Sequence, residues 1–178
     1  RGFSVRLLAG QGPYRLEFLP CPFVLPGRIY YGAAMSGPAT DRTRAFLKIQ
    51  DGCDYQCTFC TIPLARGASR SQSVDLCVMQ AKTLVQQGFK EIVLTGVHLG
   101  SWGQEWGRHL RELVAAILEQ TETPRLRLSS LEPWDLDADF FSLWADRRLM
   151  PHLHLPLQSG SESTLRRMAR KTTPDSFR

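Results

Sequence analysis

From residue 44 onward the sequence predicts an α/β fold, a parallel sheet of about four βα units preceded by an irregular N-terminal segment. Two observations carry that reading. Short apolar runs alternate with amphipathic stretches, and each amphipathic stretch returns the chain to another apolar run of the same kind, as crossover helices do. The first 41 residues, by contrast, are rich in Gly and Pro and show no sustained period, which marks irregular structure or a linker.

Residues 45–49 read as the first strand, and a loop carrying three cysteines follows it. A helix is expected over residues 74–87, where Gly88 stops it, then a strand over 91–95 and a helix over 110–120. The third unit pairs a strand at 126–129 with a shorter helix at 138–144. The fourth pairs a strand at 153–157 with a helix at 161–168, whose exposed amides Ser161 or Ser159 can cap. A short strand near residues 14–19 is the one regular element expected in the opening segment. In parallel sheets of this kind functional side chains gather at the C-terminal ends of the strands.

Composition narrows the function. The 178 residues are 43% hydrophobic and 22% charged, with a formal net charge of +5, which fits an ordinary globular chain and excludes collagen-like and disordered classes. No apolar run approaches the roughly 20 residues that span a bilayer, so a soluble, cytoplasmic chain without membrane contact is expected. Six arginines face only Glu17 and Asp41 within the first 44 residues. The Arg at position 1 and the Thr-Thr-Pro-Asp turn just before the last residues suggest a piece of a longer protein.

Of the five cysteines, Cys53, Cys57 and Cys60 form a C-x3-C-x2-C array directly after the first strand, apart from Cys21 and Cys77. Such crowding suits metal or redox chemistry rather than a disulfide framework. Thiolates are soft donors for iron–sulfur clusters or zinc. A four-iron cluster held by three cysteines keeps one iron without a protein ligand, free to chelate the amino and carboxylate groups of S-adenosylmethionine. Structural zinc needs four ligands, and Cys21, Cys77 or His98 would have to supply the fourth without the paired spacing of zinc modules. Inert buried cysteines are the remaining alternative.

The array, with Phe59 before its last cysteine, resembles the radical S-adenosylmethionine superfamily. RAFLKIQDGC, CTFCTIPLARGASRS, IVLTGVHLGSWG, RLSSLEPWD and HLHLPLQSGSESTLRRMARK are similar throughout to its methylthiotransferases. Within them the chain is most similar to the branch acting on N6-threonylcarbamoyladenosine in the anticodon loop of tRNA. The branches acting on isopentenyladenosine in tRNA or on a ribosomal-protein aspartate are the alternative substrates, and a non-catalytic metal-binding remnant is the alternative class.

The resemblance implies a partial (β/α)6-type barrel, with residues 1–41 a linker remnant and 42–178 a truncated core domain. It implies a 4Fe-4S cluster on Cys53, Cys57 and Cys60 that delivers one electron to S-adenosylmethionine, releasing methionine and a 5′-deoxyadenosyl radical that abstracts the hydrogen at carbon 2 of the modified adenine. An electron-donor protein and tRNA are the implied partners, and a monomer is expected. Thr95, Gly96 and Val97 would hold the amino end of the cofactor, or form a plain βα turn. Gln158 and Ser159 would reach its ribose and carboxylate, or simply start a helix. Arg66 and Arg70 would pair with a phosphate or with the threonylcarbamoyl carboxylate, or stand as solvated loop arginines. His98 either faces this site or is a structural histidine. Arg166, Arg167, Arg170 and Lys171 read as a solvated basic face. Methylthiotransferases carry three further cysteines upstream and a β-barrel RNA-binding domain downstream, so these residues alone are not expected to complete the reaction.

Overall fold

A computed structural model of the chain describes residues 3–7, 16–20, 44–136 and 138–178. The chain divides into two units, Arg1–Tyr30 and Tyr31–Arg178. In the first, β1 (Phe3–Leu7) pairs antiparallel with β2 (Leu16–Pro20), with Phe3 opposite Pro20 and Leu7 opposite Leu16. The strand expected near residues 14–19 is thus present as β2, with a partner that the sequence did not signal. Cys21 and the rest of the opening segment lie outside the described residues.

In the second unit β3 (Arg44–Lys48), β6 (Glu91–Thr95) and β7 (Leu126–Leu128) form a parallel sheet in that order. Between β3 and β6 lie β4 (Gln50–Asp51), the short helix α1 (Ile62–Arg66), β5 (Arg70–Ser71) and the crossover helix α2 (Val74–Gln86). A second crossover helix, α3 (Leu110–Gln120), leads to β7. The apolar positions expected to face a core do so. Ala45, Leu47, Ile92, Leu94, Leu126 and Leu128 pack beneath Cys77, Val78, Ala81 and Leu84 of α2 and Leu110, Leu113, Val114 and Ile117 of α3. Each fully buried leucine or isoleucine contributes about 1.5–3 kcal/mol, and this layer is what fixes the strand ends relative to one another. Ser73 caps α2 through Leu76 N–H, and Gly88, with φ +89°, ends it in a left-handed turn.

The opposite face of the sheet is polar at its N-terminal end. The pairing sets Arg44 beside Glu91, and Glu91 in turn bonds Arg127 Nε at 2.8 Å, Arg44 Nε at 2.8 Å and Arg125 Nε at 3.3 Å. The Arg127 hydrogen bond leads the causes that hold the Glu91 carboxyl below the usual range. A depressed carboxyl pKa contributes stability above the unfolded pKa of about 4.3 that is lost as pH falls through the folded value. Glu91→Gln is therefore expected to cost about 1–2 kcal/mol at pH 7, a modest figure because two of its arginines are half exposed. In urea titrations the gap between variant and wild type should close below pH 4. A gap independent of pH would count against this ion cluster.

One expected element is not formed as a strand. Where 153–157 should add a fourth strand, single parallel bridges join Leu126 to Leu149 and Ser130 to His154. Leu131 N–H donates to His154 O at 3.1 Å, but Pro151 and Pro156 have no N–H to extend a ladder. Leu153 and Leu155 still pack against the core. The expected helix at 138–144 is α4 (Ala138–Phe141) running into a 3-10 turn, Ser142–Ala145, and that at 161–168 is α5 (Glu162–Arg167), capped by Ser161. A last short helix, α6 (Pro174–Phe177), follows. Among the described residues no helix is long and apolar enough to cross a membrane.

Candidate active site

The cysteine loop leaves the C-terminal end of β3 and is closed at its base by β4 pairing antiparallel with β5, Gln50 opposite Ser71 and Asp51 opposite Arg70. Gly52 makes the turn with φ +75°. A Cβ there would stand 2.0 Å from Ala68 O, so both backbone sign and space require glycine. Cys53 N–H donates to Gly67 O at 3.1 Å, Ser69 N–H to Asp54 Oδ1 at 3.0 Å, and Cys60 N–H to Cys57 O at 3.0 Å. These bonds turn all three half-buried thiols into one cavity of about 150 Å³, which is also lined by Tyr55, Phe59, Ile62, Val97, His98, Glu132, Gln158 and Arg170. Burial pushes the Cys53 thiol up, and the neighbouring Cys57, Cys60 and Asp54 add to that although the Tyr55 amide opposes it.

Three soft thiols around one small cavity fit a group that supplies several positive charges. Among the described residues no three His, Cys, Asp or Glu side chains are grouped as a single metal ion needs. A cubane asks for something different, one thiolate at each of three separate irons. Cys77 stands apart: it is fully buried under the sheet beside Gln72, and burial pushes its thiol to about 12. It is a core residue and not a ligand.

Of the residues singled out in the sequence, the cavity brings Val97, His98, Gln158 and Arg170 to the cysteines. Gln158 sits there with φ +76°, a left-handed conformation that an L residue other than Gly, Asn or Asp rarely holds without a local reason. Thr95 stays in the sheet, its carbonyl accepting from Ile49 N–H at 2.9 Å. Gly96 abuts Gln50, whose Oε1 would lie 2.8 Å from a Cβ at this position. Ser159 uses its hydroxyl within the turn, accepting from Ser161 N–H at 3.1 Å. Arg66 and Arg70 converge on Asp51, at 3.2 and 3.9 Å, together with Lys48 at 2.7 Å. Burial pushes the Asp51 carboxyl up, but Lys48, the Gly52 amide and Arg66 more than offset it and leave it below its ordinary range.

Several site residues carried no sequence signal. Gln50, fully buried, donates from Nε2 to Gly52 O at 2.7 Å and Ser69 Oγ at 2.9 Å, and accepts at Oε1 from both Val97 and His98 N–H at 2.9 Å. It ties the cysteine loop to the end of β6. His98, which the sequence left as either facing this site or structural, is buried and lines the cysteine cavity, with Nε2 3.0 Å from Asp135 Oδ2 and Tyr55 edge-on to its ring at 4.8 Å. Tyr55 in turn meets Trp134, whose Nε1–H donates to the phenol oxygen at 3.1 Å. A second cavity of about 460 Å³ shares Tyr55 and His98 with the first and is lined further by Asp54, Gln56, Ser101, Gln104, Ala169 and Lys171.

The basic run that begins in the last turn of α5 needs correction. Arg166 and Arg167 are solvated as expected, but the Arg170 side chain is only 2% exposed and enters the cysteine cavity. Lys171 lies over the Tyr55 ring, 4.2 Å from its centroid. Their spacing fits a solvated helix face, but the helix has already ended at Met168, and the chain turns inward there.

Comparison with known proteins agrees with this geometry. The chain is 42% identical over 148 residues to a threonylcarbamoyladenosine tRNA methylthiotransferase, MtaB, of Thermotoga maritima, covering 82% of this chain and 34% of that protein. It is 42% identical over 159 residues to the MtaB of Bacillus subtilis, covering 86% and 35%. A putative methylthiotransferase of Helicobacter pylori is 38% identical over 77% of this chain and 33% of its own length. The chain thus spans about a third of these curated relatives. In fold it is similar to the radical S-adenosylmethionine methyltransferase TsrM of Kitasatospora setae, at TM-score 0.60 and 18% identity, covering 74% of this chain and 26% of that one. The cobalamin-dependent radical enzyme OxsB is similar at TM-score 0.56 and 17% identity, over 75% and 21%. The Radical SAM superfamily profile matches residues 47–178, a stretch that contains every residue lining the cysteine cavity, and the chain belongs to that superfamily, whose cofactors are a four-iron cluster and S-adenosylmethionine.

Proposed function

We propose that this chain is the radical core, residues 42–178, of a tRNA methylthiotransferase that installs a methylthio group on N6-threonylcarbamoyladenosine, with residues 1–41 as the segment leading into it. The observation that carries the reading is 42% identity to MtaB proteins over 148 and 159 residues, in a chain whose Radical SAM match, residues 47–178, contains the whole cysteine cavity.

Cys53, Cys57 and Cys60 would hold the cluster, and when bound it supplies the electron that breaks a carbon–sulfur bond of S-adenosylmethionine. The chain's own part is to fix geometry. Gln50 holds the Val97 and His98 amides in place, so the peptide carbonyls of Gly96 and Val97 are presented as acceptors for the cofactor's amino group. Thr95 sets the strand end from which they project, and Gln158, with Ser159 next to it in the chain, would reach the ribose and carboxylate. Tyr55, Phe59 and Ile62 make the apolar wall that keeps water from a reactive carbon. Arg66 and Arg70 are the anion partners for a phosphate or for the threonyl carboxylate. Their bonds to Asp51 pre-set both guanidinium groups near the loop while leaving Arg66 half exposed. A soluble electron-donor protein and tRNA would be the partners, in the cytoplasm, with the enzyme acting as a monomer.

Nucleoside mass spectrometry of tRNA from a strain lacking the gene tests this directly. The methylthio group on threonylcarbamoyladenosine should vanish while threonylcarbamoyladenosine itself remains. Its persistence, with loss of a methylthio group on isopentenyladenosine instead, would reassign the substrate.

A further inference from the structure

Arg170 is built into the cysteine cavity with more fixings than any other charged side chain there. Its Nη1 and Nη2 clasp both Glu132 oxygens, and Nη2 also donates to Pro156 O at 2.8 Å. The guanidinium lies over Trp134, 4.9 Å from the ring centroid. Its Nε is buried and has no partner, an unusual state for a donor of this strength.

The backbone is shaped to deliver this side chain. After α5 the chain makes a Schellman turn, with Arg170 N–H donating to Leu165 O at 3.0 Å and Ala169 N–H to Arg166 O at 3.1 Å. The left-handed position of that turn is normally glycine, yet here Ala169 occupies it at φ +53°, at a cost of about 1 kcal/mol. The same turn grips the cysteine loop directly. Thr58 N–H donates to Met168 O at 3.2 Å, and Thr58 Oγ1 to Arg167 O at 3.0 Å. Thr58 is the residue after Cys57, so the turn that carries Arg170 is bolted to the loop beside this cysteine. Arg170 and Cys57 line the same small cavity of about 150 Å³.

We infer that Arg170 is a positioning residue for the cluster, a fixed positive charge with a hydrogen-bond donor beside the Cys57 sulfur, held in place by Glu132 and Trp134, that makes the cluster easier to reduce. The inference rests on the three cysteines being the cluster ligands. A positive charge and an N–H donor beside a cluster sulfur stabilise the reduced state, which carries one more negative charge, and so raise the potential. Glu132 has the opposite influence because it partly neutralises that charge.

The test is an EPR-monitored redox titration of the anaerobically reconstituted chain, with iron counted in each sample. Arg170→Gln should make one-electron reduction about tenfold less favourable, a fall of ~59 mV. Arg170→Lys should recover part of it, because the charge stays while the fork is lost. Glu132→Gln should move the potential the other way. A purely architectural arginine predicts no such opposition of sign. Unchanged potentials and EPR spectra in loaded Arg170→Gln overturn the inference. Should that variant fail to load, Arg170→Lys and Glu132→Gln decide it, and unchanged or same-direction shifts in the two overturn it as well. Wild-type protein that takes up no four-iron cluster would instead refute the ligand assignment, a separate result read from the iron count.

Discussion

Replacing Cys53, Cys57 or Cys60 with alanine should reduce bound iron from about four per chain to almost none after anaerobic reconstitution, and should remove the brown charge-transfer absorption with it. The size of the effect follows from the way the loop uses each thiol. Among the described residues only three cysteines are offered, each to a different iron, so none of these residues can take over a vacated corner. Glu132 and His98 share the cavity but are already engaged, Glu132 with Arg170 and His98 with Asp135. Cys77→Ala is the contrasting variant. Its sulfur is sealed under α2 with the thiol's pKa pushed to about 12, so it should leave the iron count intact and cost only about 1 kcal/mol of packing. Stoichiometric zinc in place of iron, or equal iron in the Cys53→Ala protein, would remove the basis for the assignment.

The cysteine loop and the strands that bear it were legible because both are local signals. The apolar run at 45–49 appears in the structure as β3, with alternate burial along it, and the array follows within a few residues of the strand that positions it. Val97 was singled out through the family resemblance, and the structure places it just past the end of a strand and in the lining of the cavity. The fourth strand was misread because alternation of Leu153, Leu155 and Leu157 outweighed the missing amides of Pro151 and Pro156, which a ladder cannot forgo. Arg170 was misread through its neighbours. Four basic residues within six positions look like one solvated face, and nothing local says that a left-handed Ala169 reverses the chain between them. Its partners Glu132 and Trp134 lie more than 30 residues away in sequence, and a single sequence gives no hint of that pairing.

Gln50 went unnoticed for the same reason, and its replacement is expected to have the largest effect on stability. Gln50→Ala removes the acceptor of two amides, Val97 N–H and His98 N–H, and the donor to Gly52 O and Ser69 Oγ, in a buried to half-buried setting. A buried donor or acceptor left unpaired costs about 1–3 kcal/mol. With two amides orphaned, the total should be on the order of 3–5 kcal/mol, moderated wherever the space left by the side chain admits a water. Gln50→Glu separates shape from pairing. It keeps the volume and an acceptor, yet a carboxylate cannot donate to the Asp51 and Gly52 carbonyls and would sit unneutralised where Nε2 now lies. It should therefore be destabilised by a comparable amount, although Gln and Glu are nearly isosteric. Urea unfolding measures the loss, and iron content after reconstitution reads its second consequence. The loop and the β6 end, no longer joined, should hold the cluster less tightly than wild type. If Gln50→Glu unfolds within 1 kcal/mol of wild type and loads iron equally well, the amide clamp is not what sets the two halves of this cavity against each other.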